Sequence, residues 1–252
     1  MSHYIITGTS RGIGEAIATK LLKPGNTLFC VSRTLNEELV ERAVSLGTVI
    51  YYYTADLTDP LAVAGFSDQI WGKIIAEDVK RIALINNAGM IAPIGPINTC
   101  DPVQLLMHIQ INLLAPMLLT SSFLEHTSQW TIPKEVLNIS SGAASTAYSG
   151  WSAYCSSKAA IDMFTRTIAL EQLQATFPAK IIAFAPGIVE TALQKEIRDT
   201  DAKNFPDKEK FVKLHDDGHL FTPEHVAEVI SKALFDDSIT SGSILDIWQS
   251  GN

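Results

Sequence analysis

Short runs rich in β-branched and aromatic residues alternate along the chain with longer stretches whose apolar residues recur at helical spacing. The runs are HYIIT (3–7), TLFCVS (27–32), TVIYYYT (48–54), RIALIN (81–86), EVLNIS (135–140), KIIAFA (180–185) and SILDIW (243–248). Several are apolar throughout, the pattern of strands covered on both faces of a parallel sheet. Helical patterns fill the intervals, among them 14–22, 60–76, 101–127 and 151–175. Thr58-Asp59-Pro60, Cys100-Asp101-Pro102 and Thr222-Pro223-Glu224 each set a polar residue beside an early-helix proline, which marks a helix start. Regular alternation of strand and helix predicts an α/β protein with a doubly wound, mostly parallel seven-stranded sheet and helices on both faces. No linker-like, low-complexity or repeated segment divides residues 1–252, so a single domain is expected.

Composition narrows the function classes. A chain that is 46% hydrophobic suits a globular protein, and a net charge of −8 argues against long nucleic acid or an anionic membrane surface as partner. No apolar run approaches the ~18 residues of a membrane span, and MSHYIITG enters strand sequence at once, so a cytoplasmic location is expected. Cys30, Cys100 and Cys155 are odd in number and widely spaced, which suggests small packed side chains rather than disulfides or a zinc knuckle. In HDDGH (215–219) a glycine interrupts two histidines and two acids with no third fixed ligand, and no metal site is expected.

Candidate chemistry begins where the first strand ends. TGTSRGIG (7–14) lies between a strand and a helix, with Gly8, Gly12 and Gly14 allowing a tight turn, close backbone approach to a pyrophosphate and helix packing on the sheet. At the first strand–helix junction of a Rossmann-type chain this loop, with Ser10, Arg11 and Ile13, reads as a dinucleotide cradle. The second strand ends CVSRT, with Arg33 where NAD-selective proteins carry an acid for the ribose 2′-hydroxyl. Arg11 and Arg33 together suit a 2′-phosphate, so NADP(H) is the expected cofactor. In ADLTD (55–59), Asp56 is placed to accept from the adenine amine and Leu57 to pack on its ring. Asn87, Ala88 and Gly89 suit close backbone approach to a ribose, although a plain turn uses the same residues.

Tyr154 and Lys158 stand four apart in AYCSSKAAI (153–161) and so share a helical face. That spacing alone does not distinguish a proton-transfer pair from an ordinary half-buried tyrosine and a solvated lysine. The wider set does. TGTSRGIG, NNAG, the asparagine of QINLLAP, the serine of NISSGAA, YCSSK and APGIVET occur in the order and at roughly the separations of the short-chain dehydrogenase/reductase family, which the chain resembles over about residues 3–248. INLLAPMLLTSSFL and GWSAYCSSKAAIDMFT are most similar to its bacterial sepiapterin reductase-like branch, which includes benzil reductases.

The resemblance implies roles. Tyr154 is the catalytic acid/base and Lys158 its partner, lowering the phenol's pKa and holding the nicotinamide ribose; Ser141 binds the substrate carbonyl. Asn112 orients a water that relays protons to Lys158, against a plainer reading as a core amide in a helix kinked before Pro116. Ser140, by strand alternation, should point away. Pro186, Gly187, Val189 and Thr191 resemble the loop that fixes the nicotinamide carboxamide. The implied reaction is hydride transfer to a carbonyl carbon with proton donation from Tyr154. A nucleotide sensor without turnover and a 3-ketoacyl thioester reductase are the alternatives; retention of Tyr154 and Lys158 speaks against the first, and the acidic balance against the acidic carrier of the second.

Residues 192–221 form a long charged insertion, expected to be a substrate lid. Leu193, Ile197, Phe205, Phe211 and Leu214 either close over the pocket or pack the lid onto the body, and Tyr148 and Trp151 form another wall. An aromatic-lined pocket favours a bulky, flat, uncharged carbonyl compound, such as benzil or a pterin side-chain ketone. The ending SGSILDIWQSGN lacks the family's common Asp-Gly-Gly, which speaks against an ordinary tetramer but not against the chemistry, and a homodimer is expected.

Overall fold

A computed structural model describes residues 1–248. In chain order the elements are β1 (Ser2–Thr7), α1 (Gly12–Leu21), β2 (Asn26–Ser32), α2 (Glu37–Ser45), β3 (Val49–Thr54), α3 (Pro60–Trp71), β4 (Arg81–Asn86), α4 (Pro102–Ile109), α5 (Ala115–Thr127), β5 (Lys134–Ile139), α6 (Ser152–Gln172), β6 (Lys180–Ala185), α7 (Ala192–Asp199), α8 (Lys208–Asp216), α9 (Pro223–Phe235) and β7 (Ile244–Asp246). The strands form one seven-stranded sheet in the order β3-β2-β1-β4-β5-β6-β7, with every pairing parallel. The chain winds outward from β1 to β3, then returns to β4 on the other side of β1. That reversal opens a crevice at the carboxyl ends of β1 and β4, where ligands bind in this architecture.

Local chemistry explains the element ends. Asp59 accepts from Leu61 N–H at 2.9 Å, Asp101 from Val103 N–H at 2.7 Å and Thr222 from His225 N–H at 3.2 Å, each beside a first-turn proline. Central strands β1, β2, β4, β5 and β6 are buried nearly throughout, whereas edge strand β3 is only half-buried, Tyr52 packing on one face of the sheet and Tyr51 and Tyr53 on the other. Two apolar clusters fill the two faces of the sheet, one around Ile17, Leu28, Phe184 and Ile230, the other around Phe29, Phe66, Leu84 and Phe123. The last strand is shorter than its sequence run: Ile247 and Trp248 lie beyond it.

The apolar stretch 101–127 is not one uniform helix. Between α4 and α5 a π-helical segment, Gln110–Leu114, closes with an Ala115 N–H bond to the Gln110 carbonyl. Pro116 has no N–H to give to the Asn112 carbonyl one turn back, so the regular ladder cannot continue there. The combined run Pro102–Thr127 is nevertheless long and apolar enough, by length and composition, to cross a membrane. This corrects the expectation that no stretch approaches that limit. The run is apolar on two faces: Ile111, Ala115, Leu119 and Phe123 pack on the sheet, while Val103, Leu106 and Met117 remain exposed.

Candidate active site

The glycine-rich loop is shaped by contacts that only glycine permits. Gly8 and Gly12 have φ of +76° and +64°, and a Cβ on Gly14 would lie 2.3 Å from the Gly8 carbonyl oxygen. Helix α1 therefore packs directly on the turn it follows. Its N-terminus has no side-chain cap, leaving first-turn N–H groups for an anion. Asn87 stitches this loop to β4: its Nδ2 donates to the Thr7 carbonyl at 2.9 Å, while the Thr7 hydroxyl accepts from the N–H groups of Asn87 and Ala88 at 3.0 Å each.

A cavity of about 860 Å³ opens over the carboxyl ends of the strands. Gly8, Ser10, Arg11, Gly12 and Ile13 line it from the first loop, Arg33 and Leu57 from the ends of β2 and β3, and Asn87, Ala88 and Gly89 from the end of β4. Across from them stand Ser141, Tyr148, Trp151, Tyr154 and Lys158, then Pro186, Gly187, Val189 and Thr191. Gly14 supports the cradle from behind. Asp56 departs from expectation: Ala55 and Leu57 line the cavity, while the Asp56 carboxylate accepts from the Thr58 N–H and hydroxyl in its own turn at 3.0 and 2.9 Å.

The cradle, the uncapped helix end and the size of the cavity fit a nicotinamide dinucleotide. Arg11 and Arg33 are exposed where the first loop and the end of β2 line the cavity. Ser32, the last residue of β2, donates to the Thr34 carbonyl, so no carboxylate occupies that strand end. Glu196 of α7 also lines the cavity: burial pushes its carboxyl up, and the Arg11 guanidinium acts in the opposite direction.

Helix α6 brings Tyr154 and Lys158 into the cavity wall, with the Lys158 Nζ 5.7 Å from the tyrosine ring centroid. Nζ donates to the Ile139 carbonyl at 2.7 Å, which anchors the ammonium to the end of β5. Burial pushes Lys158 down to about 8, with the Asp162 carboxylate opposing. Burial pushes the Tyr154 phenol up, and the Ser141 hydroxyl draws it partly back. The phenol thus stands above its ordinary value, where the family resemblance led to the expectation of a phenol lowered by the lysine. The phenol remains protonated at neutral pH, the state a proton donor needs.

Ser141 caps the turn after β5, accepting from Ala143 N–H at 3.2 Å. Ser140 points the other way, as strand alternation requires, and donates to Asp162. Asn112 sits in the π segment with its Oδ1 accepting from Met90 N–H at 2.9 Å and its Nδ2 donating to the Met90 carbonyl at 2.7 Å. It lies behind the wall: a Cβ on Gly89 would be 2.9 Å from Asn112 Oδ1 and 3.9 Å from Lys158 Nζ. Gly89 therefore lets the asparagine and the lysine converge.

The insertion 192–221 folds as α7 and α8 with a connector between them. Ile197, Phe205 and Phe211 are buried in a satellite cluster with Ile91, Trp151 and Tyr154. Leu193, Ile197 and Phe211 line the cavity, whereas Phe205 packs flat on Trp151, ring centroids 4.4 Å apart, as a support rather than a lining residue; Leu214 is half-buried away from it. Glu190, just after the Pro186–Val189 loop, is gripped by both Arg198 Nη atoms at 3.1 and 2.9 Å and lies 3.7 Å from His215 Nε2, joining α7 and α8 to that loop.

Some neighbours of the site carry no local sequence signal. Trp248 lines the cavity while 64% exposed, tilted against Phe221 at 4.7 Å. His108 is wholly buried beside Asn112 and Tyr154; its i, i+4 spacing from Asn112 is the one clue a helical reading offers.

Comparison with known proteins agrees with this geometry. A family model described as short chain dehydrogenase matches residues 2–202. Benzil reductase ((S)-benzoin forming) of Bacillus cereus is 42% identical over 247 residues, covering 98% of this chain and 99% of that protein. Sepiapterin reductase of Rattus norvegicus is 30% identical over 257 residues, with 97% of this chain and 95% of that protein covered. The solved structure of the KRED1-Pglu enzyme matches with a TM-score of 0.83 at 28% identity, covering 97% of this chain and 100% of that one.

Proposed function

This chain belongs to the short-chain dehydrogenase family of oxidoreductases, and from that premise we propose that it is an NADPH-dependent carbonyl reductase acting on bulky, flat, uncharged ketones. An aromatic 1,2-diketone such as benzil is the first choice, a pterin side-chain ketone the second. The observation that carries this reading is the Ser141–Tyr154–Lys158 group, set between the glycine cradle and a pocket walled by Tyr148, Trp151 and Phe211.

When bound, the nicotinamide supplies the hydride. The chain's own residues supply the rest. Ser141 donates a hydrogen bond to the carbonyl oxygen, and Tyr154 delivers a proton to that oxygen as charge develops on it. Lys158, lowered to about 8 by burial, passes between charged and neutral near working pH and so can restore the phenol's proton. Asn112, held by Met90, positions the water on that relay. Pro186, Gly187, Val189 and Thr191 hold the carboxamide and thereby one face of the nicotinamide. Arg11 and Arg33 hold the 2′-phosphate, the basis for NADP(H) over NAD(H). Residues 192–221 cover the substrate, and the aromatic walls favour flat rings over charged chains.

The exposed apolar side chains Val103, Leu106, Met163 and Leu170, on the neighbouring helices α4 and α6, suit a second copy of the chain, and we read the protein as a cytoplasmic homodimer. The test of the reaction is NADPH oxidation against benzil, pterin ketones, quinones and ketoacyl thioesters, with chiral chromatography of the benzil product. One benzoin enantiomer is expected, the (S) form by analogy with the Bacillus cereus relative. A racemic product, or activity confined to charged aliphatic ketones, would overturn the substrate reading.

A further inference from the structure

His108 closes α4 with no exposed surface at all, and the proposed reaction assigns it no part. Its Nδ1 lies 2.7 Å from the Ala92 carbonyl oxygen, its Nε2 2.8 Å from Asn112 Nδ2 and 2.9 Å from Ser157 Oγ. A carbonyl only accepts, so Nδ1 carries the proton and the neutral ring presents Nε2 as an acceptor. Asn112 requires the same state independently. Its Oδ1 is fixed by the Met90 N–H, so Nδ2 faces the ring, with one proton for the Met90 carbonyl and one for Nε2. Ser157 lies on α6 between Tyr154 and Lys158, and with Nε2 an acceptor its single hydroxyl proton is shared between Nε2 at 2.9 Å and the Tyr154 carbonyl at 3.0 Å. The imidazole also stands edge-on to the Tyr154 ring at 6.2 Å and 81°. One side chain thus joins the loop after β4, the π segment carrying Asn112 and the turn of α6 carrying the tyrosine and lysine.

We propose that His108 is a positioning residue of the active site, which as the neutral Nδ1–H tautomer fixes the Asn112 amide and registers the Tyr154–Lys158 turn against it. The proposal deepens the carbonyl-reductase reading and rests on it. Protonation of Nε2 would set an N–H against the Asn112 N–H and place a second positive charge beside Lys158. The titratable groups facing the ring are Tyr154 and Lys158, both on α6; the loop 87–93 and the π segment contribute only amides, carbonyls and apolar side chains. Burial and the Lys158 ammonium hold the imidazole below its usual range, against the carbonyls of Ala92 and Ala153. The neutral state therefore persists through neutral pH and fails in acid.

His108→Phe keeps a flat ring but leaves the Asn112 N–H and the Ala92 carbonyl without partners, whereas His108→Gln returns a carboxamide oxygen to the Asn112 side. The expected result is a kcat for carbonyl reduction lowered about tenfold or more in His108→Phe with the NADPH KM nearly unchanged, and recovered to within about threefold in His108→Gln. The acid limb of the wild-type kcat–pH profile should move to lower pH in His108→Gln. Wild-type kcat and acid limb in both variants, or equal losses in both with the acid limb unmoved, would overturn the proposal. A second measurement needs no variant and no substrate. Nitrogen NMR of the imidazole-labelled wild-type protein should show neutral His108 protonated on Nδ1 at pH 7; protonation on Nε2 would overturn it. A wild type inactive toward every carbonyl compound would defeat the reductase reading, and the NMR result would still decide the state of the ring.

Discussion

Replacing Phe205 by alanine should loosen the segment 192–221 from the body. The side chain is fully buried, stacks on Trp151 with an interplanar angle of 7°, and packs against Phe211 at 5.5 Å and Tyr148 at 6.4 Å. Its connector also runs tightly over the turn before Tyr154, where a Cβ on Gly150 would meet the Asn204 carbonyl. Loss of a buried phenylalanine costs about 3–5 kcal/mol in transfer and cavity terms. If the whole domain lost that stability, Tm would fall by roughly 6–20 °C for a chain of this size. The segment 192–221, however, rests on few apolar anchors, Ile197, Phe205 and Phe211, and the Arg198–Glu190 pair is half in water and worth at most about 1 kcal/mol. Local opening is therefore the easier route. Trypsin cleavage at the lysines of that segment, Lys203 and Lys208 among them, should accelerate at least about tenfold, while Tm falls by less than about 6 °C. KM for an aromatic ketone should rise, because Trp151 loses its backing, with the NADPH KM little changed. An unaltered cleavage rate together with the full drop in Tm would refute the argument and make Phe205 part of the cooperative core.

Two further outcomes follow from charge. Arg33→Ala should weaken NADPH about tenfold and NADH little, since an exposed charge-assisted contact belongs at the lower end of about 1.5–3 kcal/mol; equal losses by titration would show that the arginine does not read the phosphate. Burial pushes Glu135 up to about 7, with Arg81 at 2.7 Å and then Lys180 opposing. A carboxyl raised in the folded state contributes stability that is present below its ordinary range and lost as pH rises through 7. Glu135→Gln should accordingly gain stability relative to wild type between pH 5 and pH 8 in urea titrations, and a pH-independent difference would contradict the assignment.

The parts of this protein that could be read from its sequence are those set by local rules. The seven strands lie within about two residues of their apolar runs, and all three proline-marked helix starts are capped as expected, because burial pattern and first-turn chemistry are local. The glycine cradle was legible for the same reason. Long-range effects were not. The π segment depends on Pro116 and Asn112 acting together, and Asp56 turned to its own loop. His108 meets partners 16 and 49 residues away. The apolar residues of 192–221 stand out in the sequence as a class, but nothing local distinguishes Phe205, which supports Trp151, from Phe211, which lines the cavity.

The most direct test of the central claim is hydride-label transfer with a Tyr154→Phe comparison. Wild-type protein given NADPH deuterated at the transferring carbon and benzil should place deuterium on the carbinol carbon of a single benzoin enantiomer. Tyr154→Phe should bind NADPH as tightly but turn over about 10²–10⁴-fold more slowly, the contribution of a general acid. Unlabelled or racemic benzoin, or a variant retaining more than about a tenth of wild-type turnover, would contradict the account.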